Sequence, residues 1–361
     1  MKKWLIPLTI WVVDLFGLVL SKKTGWFSDW YAQYVQPIWV GTIGRLFSVL
    51  PFSAAEFLLY ILILWTLVWA GIRIGRIVQR KKRRHYTISA GCYRIFLLAV
   101  LLFTLFTWTC GVNYARTSFV KSNQIEVRVY TTEEWKKACE ILTEQVNTYA
   151  VQVKRDGQGR MVVGEHAEKR AVRAMQLAGE GYASLSGYYP NPKAVSFSQI
   201  LSYQNVTGIY SPFTVEANYN QDMEDYNIPF TMCHELSHLK GFMKEEEANF
   251  IAYLACMKSD SEEFRYSGTM LGWLYCTNEL YKRDTAAYKE MWNKLCKEAK
   301  ADFEANSAFW DKYEGKISEV AESINDSYLK ANGQEKGIES YDKAADLIVG
   351  EVLNAEKVGK Q

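Results

Sequence analysis

The sequence predicts an α+β fold in two parts: three N-terminal transmembrane helices, then a mostly helical domain with a small sheet. Three observations carry this. Long apolar runs crowd the first third of the chain. Charge divides sharply, with 13 Lys+Arg against 3 Asp+Glu in residues 1–112 and 29 against 37 in the remainder. A stretch rich in aromatic and β-branched residues precedes a long region of helical periodicity. The charge division indicates two different solvents and gives no reason to expect a nucleic-acid partner.

The predicted spans cover residues 4–20, 52–74 and 90–112. Trp4–Leu20 contains one charge, Asp14; Phe52–Ile72 contains one, Glu56; Ile95–Val112 contains none. At 1.5 Å per residue each run approaches the roughly 30 Å of a bilayer's hydrocarbon core. The first run follows Lys2 and Lys3 as a signal peptide would, but no small-residue cleavage site follows Leu20, so a retained anchor is expected. Trp26, Phe27, Trp30, Tyr31 and Trp39 suit a membrane interface. The basic loop at 79–86 is expected to stay in the cytoplasm, which puts residues 113–361 outside it. Lys22 and Lys23 fall on the outer side and oppose this mildly.

In the outer domain, Thr131–Val153 has helical spacing with Thr132 as its cap, residues 155–160 form a turn, and Ala167–Tyr182 is a second helix. Ala194–Leu201 and Gly208–Asn220 read as extended, the latter broken by Pro212. From Pro229 to Leu353 the chain is predominantly helical, punctuated at Gly268, Gly315, Gly333 and Gly337. Of seven cysteines, five are scattered through this domain without a Cys-x-x-Cys pair, so neither a disulfide framework nor a cysteine zinc site is indicated.

The chemistry concentrates in TMCHELSHLKGFMKEEEANFIAYLAC, residues 231–256. His234 and His238 lie four apart, so on a helix both imidazoles project from one face. Two such histidines suit Zn²⁺, and a glutamate between them, Glu235, suits a general base acting on a zinc-bound water. Pro229 fits a first helical turn, and Gly241 can end the helix. A second helix from Glu245 then offers Glu245 as third ligand, Ala248 for close approach and Asn249 to orient a ligand. Glu246 and Glu247 point elsewhere and read as a solvated face. Chance occurrence on an ordinary helix is the competing interpretation of the five-residue pattern.

Glu245-x-x-Ala248-Asn249 after His-Glu-x-x-His resembles the glutamate helix of gluzincin metallopeptidases, although only six residues separate His238 from Glu245. The metzincin pattern is excluded because Lys244 stands where a third histidine belongs. More broadly, residues 208–220, 234–255 and 332–349 resemble a bacterial membrane-protein family of unknown function, domain-of-unknown-function family 3810. That resemblance implies a multi-pass bacterial plasma or inner membrane protein with a zincin-like extracytoplasmic domain; it implies no substrate.

The expected function is therefore a membrane-anchored zinc metallopeptidase acting on extracytoplasmic peptides or proteins, with the lipid bilayer as its other partner. A protein substrate in membrane quality control is a variant of this. A sensor or scaffold with a structural zinc is the alternative from another class. Gly208–Asn220 is the expected strand for substrate addition. Glu216 within it is either an anchor for a substrate amine or, more simply, a solvent-facing or lysine-paired glutamate. An oxyanion stabiliser is expected, with Tyr210, Tyr219 and Tyr341 as candidates. His166 reads as a surface residue.

Overall fold

The computed structural model describes residues 2–79, 84–332, 334 and 343–359. The chain folds as two compact units, Met1–Arg116 with Ser211–Glu216, and Thr117–Tyr210 with Ala217–Gln361. Helices of ten residues or more are numbered below.

The first unit contains α1 (Lys2–Lys23), α2 (Ala54–Gln79) and α3 (Arg84–Thr109). Three helical stretches, Lys3–Lys23, Ala54–Gly75 and Ser89–Ala115, are long and apolar enough to cross a membrane. Residues 80–83 of the basic loop lie outside the described residues. The one charge in the first run is buried between helices: Thr104 Oγ1 donates to Asp14 at 2.6 Å and Trp108 Nε1 at 2.8 Å. Both carboxylate oxygens are thus satisfied, as a low-dielectric setting demands. Gly17 lies under the same indole, where a Cβ would fall 2.8 Å from the Trp108 ring. The aromatic stretch after α1 is itself helical from Gly25 to Ser48, alternating α and π turns. Composition alone gave that segment a location but no conformation.

Ser211–Glu216 belongs to this unit. Thr109 Oγ1, at the end of α3, donates to the Pro212 carbonyl at 2.7 Å. The Glu216 carboxylate accepts from the backbone N–H groups of Ala54 at 3.2 Å and Ala55 at 2.9 Å. This anion therefore caps the first turn of α2, satisfying orphan donors and complementing the helix dipole. Glu216 is 3% exposed. The expectation of a substrate anchor, or of a solvent-facing glutamate, is corrected on both counts.

The second unit is built from α4 (Thr132–Ala150), α5 (Ala167–Gly181), α6 (Ile228–Leu239), α7 (Glu245–Lys258), α8 (Glu262–Arg283), α9 (Thr285–Lys294), α10 (Lys297–Asp311), α11 (Lys316–Ala331) and α12 (Lys343–Gly359). Helix α4 starts at Thr132, so its cap lies one residue before the expected one. Thr131, not Thr132, has a glutamate three residues on, and Thr131 and Glu134 close a capping box.

The three-stranded sheet has order β1-β3-β2, with β1 Lys193–Ala194, β2 Gly208–Ser211 and β3 Glu216–Tyr219. β1 and β3 run parallel, Lys193 opposite Asn218. The run expected to be extended through Leu201 instead turns helical at Gln199–Ser202, where the Ser198 hydroxyl donates to the Val195 carbonyl. β2 and β3 are separated at 212–215, as Pro212 predicts. Val215 there is buried at φ 53°, a conformation that costs a β-branched residue about 1–3 kcal/mol and persists only where surrounding structure enforces it.

Helix α7 runs through the core, with Phe250, Ile251, Ala252, Tyr253 and Leu254 all buried. Helix α8 packs against it at Gly268, where a Cβ would fall 2.5 Å from that of Cys256. Gly268 therefore permits close approach within a continuous helix and does not punctuate it. Gly315 does precede a helix, α11; Gly333 and Gly337 lie outside the described residues. A buried ionic cluster ties the loop after α4 to α10. Asp302 accepts from Arg155 at 2.9 Å, from Tyr266 and from the Met161 backbone at 2.7 Å.

Candidate functional site

The site forms where α6 ends and α7 begins. Pro229 stands in the first turn of α6, where no N–H is needed. The helix closes in a Schellman motif: Phe242 N–H reaches the Ser237 carbonyl and Gly241 N–H the His238 carbonyl, with Gly241 at φ 85°. This left-handed glycine reverses the chain. It folds the Phe242 carbonyl back onto the His238 ring, whose Nδ1 lies 2.7 Å from it. His234 Nδ1 lies 2.7 Å from Asn249 Oδ1 on α7. Both acceptors are oxygens, so each imidazole carries its proton on Nδ1 and turns the Nε2 lone pair inward.

The inward atoms converge. His234 Nε2 lies 3.0 Å from His238 Nε2, and Glu245 Oε2 lies 3.2 Å and 3.7 Å from them. A tetrahedral ion with bonds of about 2.0–2.1 Å sets its ligand atoms roughly 3.3 Å apart, close to this triangle. Three lone pairs facing one another repel unless a cation lies among them. His234, His238 and Glu245 can hold a metal ion.

Electrostatics show the same arrangement through protons. Burial alone would lower the pKa of His238, but the Glu245 carboxylate outweighs it and lifts the imidazole to about 9. Burial would raise Glu245, yet the two imidazoles hold it well below the usual carboxylate range. Without a metal, a proton supplies the cationic charge that a metal ion would displace.

Glu235 points its carboxylate toward Gly208, the first residue of β2. A Cβ at Gly208 would fall 2.6 Å from Glu235 Oε1 and 2.7 Å from Thr231 Cγ2. The Tyr210 backbone hydrogen-bonds the carboxylate, and burial pushes it up to about 7, against the opposing pull of His234 and His238. Its Oε2 is buried without a hydrogen-bond partner among the described residues. An orphaned carboxylate oxygen is costly unless something meets it.

A family model described as a protein of unknown function, DUF3810, matches residues 31–349. The chain belongs to the DUF3810 family. No curated protein and no solved structure matches it.

In this DUF3810 chain His234, His238, Glu245, Glu235 and Asn249 come together as their spacing predicts. The other expectations fare differently. Glu247 is buried, because α7 is enclosed in its first turn and has no solvated face there; Glu246 is half-buried. Tyr219 donates its hydroxyl to Glu168 at 2.9 Å and is committed away from the site. Tyr210 contributes its backbone to Glu235. Tyr341 lies outside the described residues. His166 is exposed, at φ 60°. Sequence reasoning missed Gly208, the Phe242 carbonyl and Tyr275. Tyr275 on α8 has its ring 6.1 Å from that of Phe230, and burial followed by the Glu245 charge raises its pKa. Nothing in the local pattern sets it apart among 23 tyrosines.

Proposed function

We propose that this chain is a membrane-anchored zinc metallopeptidase of gluzincin type, acting on peptide or protein substrates outside the cytoplasm of a bacterial cell. The observation that carries the proposal is the convergence of His234 Nε2, His238 Nε2 and Glu245 Oε2 beside the orphaned, buried oxygen of Glu235. Two imidazoles and a carboxylate match the donor preferences of Zn²⁺, and three protein ligands leave a position open, as catalytic zinc sites do. Zinc bound there supplies Lewis acidity and lowers the pKa of water to about 7.

The chain's own groups do the rest. Asn249 and Phe242 hold the two imidazoles in the tautomer that presents Nε2. Glu235 accepts a proton from the attacking water and delivers it to the departing amide nitrogen as the C–N bond breaks. Burial favours the neutral carboxyl, so Glu235 is disposed to carry that proton between the two steps. β2 is one of the two edge strands of the sheet and the one that starts against Glu235, which supports an extended substrate laid alongside it. With Glu216 engaged at α2, recognition of a free amine by that residue drops out.

The discriminating variant is Glu235→Gln. Glutamine keeps size and polarity but accepts no proton. Zinc content should match the wild type, measured by elemental analysis of purified protein, while hydrolysis of a mixed fluorogenic peptide pool falls about 10²–10⁴-fold. A cellular phenotype that survives Glu235→Gln and disappears only with His234→Ala would refute the peptidase and leave a sensor or scaffold with structural zinc.

A further inference from the structure

The segment between the short helix Phe119–Ser122 and α4 is built inside out. Residues 125–130 carry no turn or bend, so the chain is extended there. Its side chains alternate as on a strand, with Ile125, Val127 and Val129 on one face and Glu126, Arg128 and Tyr130 on the other. The face with the charges is the one that leans on the protein. Tyr130 is buried with its hydroxyl over Gly350 of α12; Arg128 lies over the Tyr130 ring and donates to Glu134 at 2.6 and 3.1 Å. The apolar face is turned outward, with Val127 62% and Val129 89% exposed. A strand with one face in water ordinarily shows the reverse, apolar in and polar out.

The backbone is as open as the valines. Among the described residues, 126–130 make no backbone–backbone hydrogen bond, whereas the Ile125 N–H is taken by the Val120 carbonyl. In an extended chain successive residues direct their N–H and C=O groups to opposite edges. The Glu126 carbonyl lies toward Gly350 on α12, so the edge shared by Glu126 and Arg128 faces the protein. The edge of Val127 and Val129 is the open one, and an open apolar edge is a template for strand addition.

The order of charges selects the added strand. A second copy of this segment, laid antiparallel about Val127, places each Glu126 opposite the other copy's Arg128. Ile125 then faces Val129, and the two Val127 residues meet at the axis. Parallel alignment in register would set Glu126 against Glu126 and Arg128 against Arg128, which is repulsive. Both charges are in place for the antiparallel pairing: the Glu126 side chain is 72% exposed, and Arg128, positioned by Glu134, holds its Nε 4.0 Å from Glu126 Oε1.

We propose that residues 125–129 form a self-association edge, through which two copies of the chain pair antiparallel about Val127 in an isologous, two-fold interface. The Val127 residues exchange N–H to C=O bonds across the axis, and each Val129 N–H reaches the other copy's Ile125 carbonyl. The valines and isoleucines cover one another on one face, and the Glu126–Arg128 pairs flank the other. The assignment does not depend on the metal cluster being catalytic.

The test uses the full chain in membranes of an expressing cell, with Cys92→Ser and Cys296→Ser and the five buried cysteines left in place. In this register the two Cα atoms at 127 lie about 5.5 Å apart, within disulfide reach, and those at 129 roughly 14 Å apart, beyond it. Under copper–phenanthroline oxidation, Val127→Cys should therefore give a disulfide-linked dimer about tenfold or more faster than Val129→Cys, although residue 129 is the more exposed. Adding Glu126→Arg to Val127→Cys sets like charges opposite each other and should slow linkage about tenfold. Equal rates at 127 and 129 would mean collision or parallel alignment and overturn the proposal. Absence of dimer from either variant would leave the edge to a different chain and overturn it equally. Linkage at 127 that Glu126→Arg leaves unchanged would overturn the register that the charges select.

Discussion

Gly208→Ala tests the placement of Glu235 without altering any atom of that residue. The added methyl would fall 2.6 Å from Glu235 Oε1, 2.9 Å from its Cγ and 2.7 Å from Thr231 Cγ2. Ordinary contact for such atoms begins near 3.4 Å, so the carboxylate must retreat by close to an ångström. Rotation about the outer bonds leaves Cγ in place and cannot relieve the clash, so the whole Glu235 side chain must turn about Cα–Cβ or its backbone must shift. Overpacking of this kind costs about 1–3 kcal/mol of stability. A displacement of about 1 Å in a catalytic group lowers the rate by roughly 10²-fold. The atoms nearest the new methyl belong to Glu235 and Thr231, not to the three converging donors, so zinc stoichiometry should hold at the wild-type value. The assay pairs elemental zinc analysis with peptide hydrolysis and thermal unfolding on the same preparation. Wild-type hydrolysis with one zinc bound would refute the idea that Glu235, in this position, moves the proton. Loss of zinc would show that the strain travels along α6 to His234 and His238.

Other outcomes follow from the same structure. Glu245→Ala should abolish zinc binding, whereas Glu247→Ala should keep the metal and lower thermal stability, because Glu247 is buried but is not one of the converging donors; zinc lost from Glu247→Ala alone would mean that α7 is misregistered. Asp302→Asn should cost about 3–5 kcal/mol by leaving the Arg155 charge without its partner in the interior, visible in denaturant melts of the purified protein; a shift below 1 kcal/mol would show that solvent reaches the cluster. A cysteine at Gly157 should react with a membrane-impermeant thiol reagent in intact cells, and one at Gln79 should not; the reverse pattern would put the second unit in the cytoplasm.

The cluster of His234, His238 and Glu245 was legible because its members lie close in sequence and helical spacing fixes which of them share a face. His234 and His238 needed only the four-residue interval, and Gly241 marked where the chain reverses. Glu245 followed from the register of the next helix. The failures share the opposite property. Glu216 meets Ala54 and Ala55 across more than 160 residues of chain, and nothing in a strand pattern announces that its carboxylate caps a distant helix. Glu247 was assigned to solvent because it points away from Glu245 round the helix; whether that side is buried is decided by the elements packed round α7. Gly268 was taken for a break because glycine disfavours helices, and its tight contact with Cys256 on the neighbouring helix overrides that preference. The capping residue of α4 was missed by one position, although Glu134 three places after Thr131 was there to be used.

The Schellman turn after α6 has a bearing on which changes of length the chain can survive. Loop length is ordinarily the most forgiving variable in a fold, since lengthening a loop costs little. Between His238 and Glu245 that latitude is gone. Lys240, Gly241 and Phe242 are spent on reversing the chain, and only Met243 and Lys244 remain before α7 begins. A residue added or removed there without compensation would turn α7 by about 100° and shift it by 1.5 Å relative to α6. A single deletion would carry Glu245 away and offer Glu246 in its place, with Asn249 rotated off His234. The short loop works as a ruler, so relatives with the same cluster should hardly vary in the number of residues between 240 and 244, keeping glycine at 241 and apolar residues at the buried positions 242 and 243.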